Sequence, residues 1–219
     1  PQEAPLVRRL VAEGVGTGLL IVSVVGSGIM ATNLTDDVAL QLLANAGATV
    51  GALIALIMMF GPISGAQFNP VVTIADCVLN GRPWRDVLPY FVAQTVGGIS
   101  GALVANLMFE LDPFGPSTKI REGGGIWLGE VVATFGLLLV IFLISRHRAE
   151  SVPVAVGVWI GGAYWFTSST SLANPSVSIA RAFSDSFAGI APESVPMFIV
   201  MQFIGLIIAL PLLRFLRSS

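Results

Sequence analysis

The chain has 219 residues, a formal net charge of −2, 54% hydrophobic residues and 11% charged ones, with a mean hydropathy of +0.84. A soluble domain carries about 25% charge, so this composition excludes a water-soluble fold and marks a polytopic helical membrane protein with about six spans. No basic surface is available for nucleic acid, and a single cysteine, Cys77, excludes an intramolecular disulfide framework and a cysteine-cluster metal site.

In chain order, membrane-length apolar runs predict spans over residues 6–30, 39–60, 84–108, 125–145, 152–168 and 194–216. No leader pattern precedes the first span, and position 1 is Pro rather than Met, so native residues ahead of it are expected. Small residues such as Gly14, Gly16 and Gly18, or Gly97, Gly98 and Gly101, predict close helix crossings.

Two apolar stretches, 69–79 and 174–183, are too short to be spans. A helix over the first would rise about 16 Å, half of a typical hydrocarbon core. They predict re-entrant half-helices, whose irregular ends survive at that depth only beside protein or a wet cavity. With both termini cytoplasmic, Arg8, Arg9, Arg82, Arg85, Arg146, Arg148, Arg214 and Arg217 lie inside, and Lys119, Arg121 and Arg181 outside. That distribution follows the positive-inside rule.

The half-helices repeat one another: Asn69-Pro70-Val71-Val72-Thr73-Ile74-Ala75-Asp76 aligns with Asn174-Pro175-Ser176-Val177-Ser178-Ile179-Ala180-Arg181. Glu13 and Thr17 recur as Glu130 and Thr134, and Gln94 and Gly97 as Gln202 and Gly205. The whole chain, 1–219, reads as a single channel domain, with a first repeat over 6–108 and a second over 125–216. An odd number of spans per repeat inverts the second half, which brings the two half-helix tips together near the midplane.

Asn caps a helix well and Pro fits its first position. The Asn oxygen satisfies backbone N–H groups, which leaves both donors of its NH₂ for a passing solute. Two converging positive helix ends oppose cations and hydronium, while neutral hydroxyl solutes find hydrogen bonds.

On Glu13-Gly14-Val15-Gly16-Thr17, Ser64-Gly65-Ala66-Gln67-Phe68-Asn69-Pro70-Val71-Val72-Thr73 and Asn174-Pro175, the chain resembles the major intrinsic protein family over nearly its whole length. The resemblance implies an all-α membrane fold of six transmembrane helices and two re-entrant half-helices, one pore per protomer, and a homotetramer. It departs from the family's Asn-Pro-Ala as Asn69-Pro70-Val71 and Asn174-Pro175-Ser176. The family's four filter positions, placed by spacing from the asparagines, fall on Thr49, Gly162, Ser171 and Val177, where water channels carry an aromatic, often a His, and an Arg. All four being small or absent, a wide filter for uncharged solutes is expected: glycerol, urea, metalloid hydroxides such as arsenous acid or methylated arsenicals, and water. Aquaglyceroporin-like channels of bacteria linked to arsenic resistance resemble this sequence around Asn174-Pro175-Ser176-Val177, which points to a bacterial inner membrane.

Arg181, one turn beyond Val177, is expected either to line the outer vestibule or to pair with Asp185. Glu13 and Glu130 are expected to accept N–H bonds from the re-entrant loop of their own half rather than to relay protons. Gln94 and Gln202 are expected to bond between helices, Cys77 to serve packing, His147 to be a solvated loop residue, and Asp76 and Asp86 to pair with Arg82 and Arg85. No catalytic constellation, metal site or cofactor motif is visible, so neither an enzyme nor a cofactor is expected. The partners expected are the lipid bilayer, small neutral solutes and water. Alternatives are a water-preferring pore, which the open filter disfavours, and a secondary transporter, for which only Glu13 and Glu130 offer interior acids.

Overall fold

The computed structural model describes residues 4–217. Eight α-helices follow in order among them: α1 (Leu6–Leu34), α2 (Val38–Ser64), α3 (Pro70–Asn80), α4 (Val87–Met108), α5 (Gly124–Ile144), α6 (Val152–Phe166), α7 (Pro175–Arg181) and α8 (Val195–Arg217). No strand occurs among the described residues.

The helix boundaries follow local chemistry. The Asp37 carboxylate accepts from the N–H groups of Ala39 and Leu40 at 2.8 and 3.2 Å and starts α2. Gly65 closes it at φ +90°, a left-handed geometry that suits glycine. The short α3 has Asn69 as cap, Pro70 in its first turn and Gly81 at φ +78° after its last residue. With 7 residues, α7 is shorter than expected, because Ala182 and Phe183 turn back onto the carbonyls of Ile179 and Ala180.

Five helices, α1, α2, α4 with the turn before it, α5 and α8, are long and apolar enough to cross a membrane. The sixth, α6, has 15 residues and rises about 22 Å. It stops short of the expected span because Thr167 leaves the helix in an extended geometry and the chain then turns into the second re-entrant loop.

The repeat is visible in the packing. In the first half α1 packs on α2 and α4, in the second α5 packs on α6 and α8, and α2 against α6 joins the halves. Each half-helix also crosses to the other half: α3 packs on α8 as well as α4, and α7 on α4 and α1 as well as α8. The α1–α4 crossing depends on glycine. A Cβ on Gly97 would lie 2.0 Å from the Gly14 carbonyl oxygen, and one on Gly101 2.2 Å from that of Gly18.

Polarity is arranged for a lipid environment. Val11, Met58, Leu88, Val96, Val158 and Ile207 are exposed on the outer helix faces, whereas Glu13, Gln94, Glu130 and Gln202 are fully buried. The apolar core between them includes Ile21, Val25, Ala105, Ala133 and Ala180.

Candidate functional site: a cavity between the half-helix tips

Both carboxylates inside the bundle hold loops. Glu13 accepts from Gln67 N at 2.9 Å, Phe68 N at 2.6 Å, Ser64 Oγ at 2.6 Å and Gln94 Nε2 at 2.8 Å. Glu130 accepts from Leu172 N at 2.9 Å, Ala173 N at 2.8 Å and Gln202 Nε2 at 2.7 Å. These bonds fix an unusual backbone. Ala66 and Phe68 have φ of +46° and +50°, and Ser171 and Ala173 have +55° and +49°, at matching offsets before each asparagine. Non-glycine residues hold such angles only where the surroundings over-determine them.

The two asparagines cap their helices and also tie the halves together. Asn69 Oδ1 accepts from Val71 N at 3.1 Å, and Asn174 Oδ1 accepts from Ser176 N and Val177 N at 3.0 and 3.2 Å. Asn69 Nδ2 donates to the Ala173 carbonyl at 2.8 Å, and Asn174 Nδ2 to the Phe68 carbonyl at 2.6 Å. One donor of each amide is therefore spent on the opposite loop, and one remains, where the sequence pattern implied two.

A cavity of about 100 Å³ runs past these tips, several times the roughly 10–15 Å³ that one water requires. It is lined by Asn69, Asn174, both re-entrant loops and one face of α6: Val152, Val156, Ile160 and Tyr164. That face extends about 18 Å along the helix axis. Toward the end of α3 the walls are apolar, with Leu53, Ile57, Leu137 and Ile141; toward the end of α7 they carry Thr49, Tyr164, Ser171 and Arg181.

Of the positions named from sequence, Thr49, Asn69, Ser171, Asn174, Val177 and Arg181 line this cavity together. Gly162 does not: it is exposed on the opposite face of α6, where an added Cβ would meet Phe166 at 3.4 Å. Its expected place is taken by Tyr164, whose hydroxyl lies 3.1 Å from Thr49 Oγ1. The wall at this level thus includes an aromatic ring, not only small groups. Counting back from Asn174 misses this. The i, i+4 spacing of Val152, Val156, Ile160 and Tyr164 is the sequence signal that finds it.

The third motif positions also face away from the cavity. Val71 is fully buried in an apolar cluster with Leu138, Phe142 and Leu206. Ser176 is fully buried, and its Oγ lies 3.0 Å from Thr95 Oγ1 on α4. Pro70 and Pro175 are buried in the first turns.

Arg181 is 2% exposed and its Nε donates to the Ala188 carbonyl. It does not pair with Asp185, which accepts instead from Thr118 N and Oγ1 at 2.8 and 3.0 Å. Asp76 pairs with Arg82 at 2.6 Å, but Asp86 pairs with Arg9 at 2.6 Å and Arg82 at 3.6 Å rather than with Arg85, which is exposed. His147 is exposed in the turn after α5, and Cys77 is buried. Among the described residues no group of three or more His, Cys, Asp or Glu is placed to hold a metal.

An inverted pair of three-helix units, with capped half-helices meeting beside a lined cavity, defines an all-α membrane channel built from six transmembrane helices and two re-entrant half-helices. The chain belongs to the major intrinsic protein family, whose model matches residues 2–171. It is 48% identical over 215 residues to the aquaglyceroporin AqpS of Rhizobium meliloti (strain 1021), covering 98% of this chain and 92% of that one. It is 30% identical over 245 residues to the probable aquaporin AqpM of Archaeoglobus fulgidus, covering 98% of each. The crystal structure of the aquaglyceroporin from Plasmodium falciparum has the same fold, with a TM-score of 0.68, 19% identity, and coverage of 98% of this chain and 97% of that one. The chain is therefore a multi-pass membrane protein of a channel family, not of an enzyme family.

Proposed function

We propose that the protein passes small uncharged solutes — glycerol, urea, metalloid hydroxides such as arsenous acid or methylated arsenicals, and water — down their gradients through this cavity. The observation that carries the proposal is the absence of a charged side chain at Val177 combined with one remaining amide donor on each of Asn69 and Asn174. A solute larger than water can give up hydration to these donors while the apolar walls at Leu20, Val24 and Val177 accept its carbon skeleton. The cavity volume supports a solute of several heavy atoms. Tyr164 narrows the wall at Thr49, and Arg181 supplies a positive charge one turn beyond the empty filter position, which repels cations.

The same proposal includes a homotetramer in a cell membrane, bacterial and inner, with both termini cytoplasmic and Arg181 at the outer mouth. The test is stopped-flow light scattering on proteoliposomes with water, glycerol, urea and arsenous acid. Non-saturating flux of glycerol or arsenous acid well above protein-free vesicles is expected. Water flux alone would favour a water-selective pore, and saturable, ion-coupled uptake a transporter.

A further inference from the structure

Three cations, Lys119, Arg121 and Arg181, cluster beside the α7 end of the cavity, and Arg181 lines it; Glu130 acts on the two arginines only from a distance. Among the described residues, Lys119, Arg121 and Arg181 have no carboxylate within 4.0 Å; the ion pairs join Arg9, Arg82, Asp76 and Asp86 around the end of α3. The three cations hold three successive carbonyls instead. Lys119 Nζ donates to Phe187 O at 2.7 Å, Arg181 Nε to Ala188 O, and Arg121 Nε to Gly189 O at 2.8 Å. Asp185, exposed on this side, is turned toward Thr118.

Arg121 has further acceptors in Ser169 O, Thr170 Oγ1 and Phe187 O, so its guanidinium is spent on the loops. Arg181 differs. Its only bond among the described residues is the one from Nε, so both terminal nitrogens of a side chain that is 2% exposed remain unmatched where it lines the cavity. Ser171 Oγ, in the same wall, is buried without a partner, and Thr49 Oγ1 and Tyr164 Oη lie nearby. A buried guanidinium edge with two free nitrogens matches the paired oxygens of an oxyanion. Its neighbours Lys119 and Arg121 add a local positive field.

We propose that this end of the cavity is a binding site for small singly charged oxyanions, with the Arg181 guanidinium as its anchor and the Ser171 hydroxyl as a further donor. The rest of the cavity wall includes the apolar Val177, Leu20 and Val24, with one remaining donor on each of Asn69 and Asn174. Two amide donors among apolar walls are too few to replace the hydration of a charged group, so the anion stays at the mouth and obstructs it. The chemistry is that of small carboxylates, bicarbonate or sulfonates. The inference rests on the channel reading for its effect on flux, but binding itself does not need it.

The probe is methanesulfonate, which stays ionised and cannot cross the bilayer as a neutral acid. Glycerol flux into proteoliposomes is compared in sodium methanesulfonate and sodium chloride at equal ionic strength. The flux is expected to fall by about half when the probe concentration equals its dissociation constant, and Arg181→Gln to abolish the difference. Arg181→Lys is expected to retain part of it. In parallel, the probe should raise the Tm of detergent-solubilised wild-type protein relative to chloride. Wild-type protein with neither a flux effect nor a Tm shift overturns the site, as does an effect undiminished in a folded Arg181→Gln variant. A Tm shift without any solute flux in either salt keeps the site and removes the channel reading.

Discussion

The Thr49 hydroxyl on α2 lies 3.1 Å from the Tyr164 hydroxyl on α6, a contact that bridges the two repeats at the level where the cavity wall turns polar. Thr49 also donates to the Asn45 carbonyl at 2.8 Å, which leaves Tyr164 as the donor across the gap. The aromatic ring is thereby held in one position against the pore. Tyr164→Ala is expected to raise glycerol flux several-fold and to admit larger polyols. Tyr164→Phe keeps the ring, loses a bond worth about 1 kcal/mol, and should leave selectivity nearly unchanged. Stopped-flow flux with glycerol, erythritol and xylitol distinguishes them; equal flux in both variants would remove Tyr164 from the constriction.

Glu13 gathers four donors and Glu130 three, all from their own repeat. A glutamine at either place brings an NH₂ to face N–H groups that need an acceptor. Glu13→Gln is expected to cost about 1–3 kcal/mol per orphaned donor, seen as a lower Tm in detergent and a smaller folded peak on size exclusion. Proton permeability of the surviving protein, followed with an internal pH dye, should not change. Loss of a proton leak without loss of stability would instead reveal a relay.

Two glycines of similar appearance in sequence should behave in opposite ways. A methyl on Gly97 would lie 2.0 Å from the Gly14 carbonyl, so Gly97→Ala forces α1 and α4 apart and is expected to lower folded yield sharply. Nothing lies within 4 Å of the Cβ position of Gly51 in the middle of α2. Gly51→Ala should be neutral or stabilise by up to about 1 kcal/mol. Thermal unfolding of both variants in the same detergent checks the contrast.

Anion block should weaken in alkali. Burial first, and then repulsion from Arg121 and Arg181, pulls the Lys119 pKa from its ordinary value to about 8. Burial and then Arg181 press on Arg121 in the same direction, opposed by Tyr164 and Glu130, but its guanidinium does not titrate in this range. The charged and polar groups facing Lys119 are those two arginines and the Phe187 carbonyl and ring. Lys119 is therefore charged below pH about 8 and loses its proton as pH rises through that value, while the arginines stay charged. Methanesulfonate block measured at pH 7 and pH 9 is expected to be stronger at pH 7, and Lys119→Met to flatten the lower part of that profile. Block independent of pH in the wild type would count against any part for Lys119.

Composition and hydropathy were enough to define a helical membrane protein, because a chain with so little charge has no soluble alternative. The short segments opened by Asn69-Pro70 and Asn174-Pro175, and the recurrence of Glu13 and Gln94 as Glu130 and Gln202, already carried the inverted repeat. Capping and helix length are local properties, and a local property is written in adjacent residues. Which side chains share the cavity is not local. Gly162 points outward and Tyr164 inward because the loop from Thr167 to Ala173 sets where α6 ends, and that loop is shaped by bonds to Glu130 some forty residues earlier. The spent amide donors of Asn69 and Asn174, and the unpaired guanidinium edge of Arg181, likewise arise only when distant carbonyls are brought together by packing.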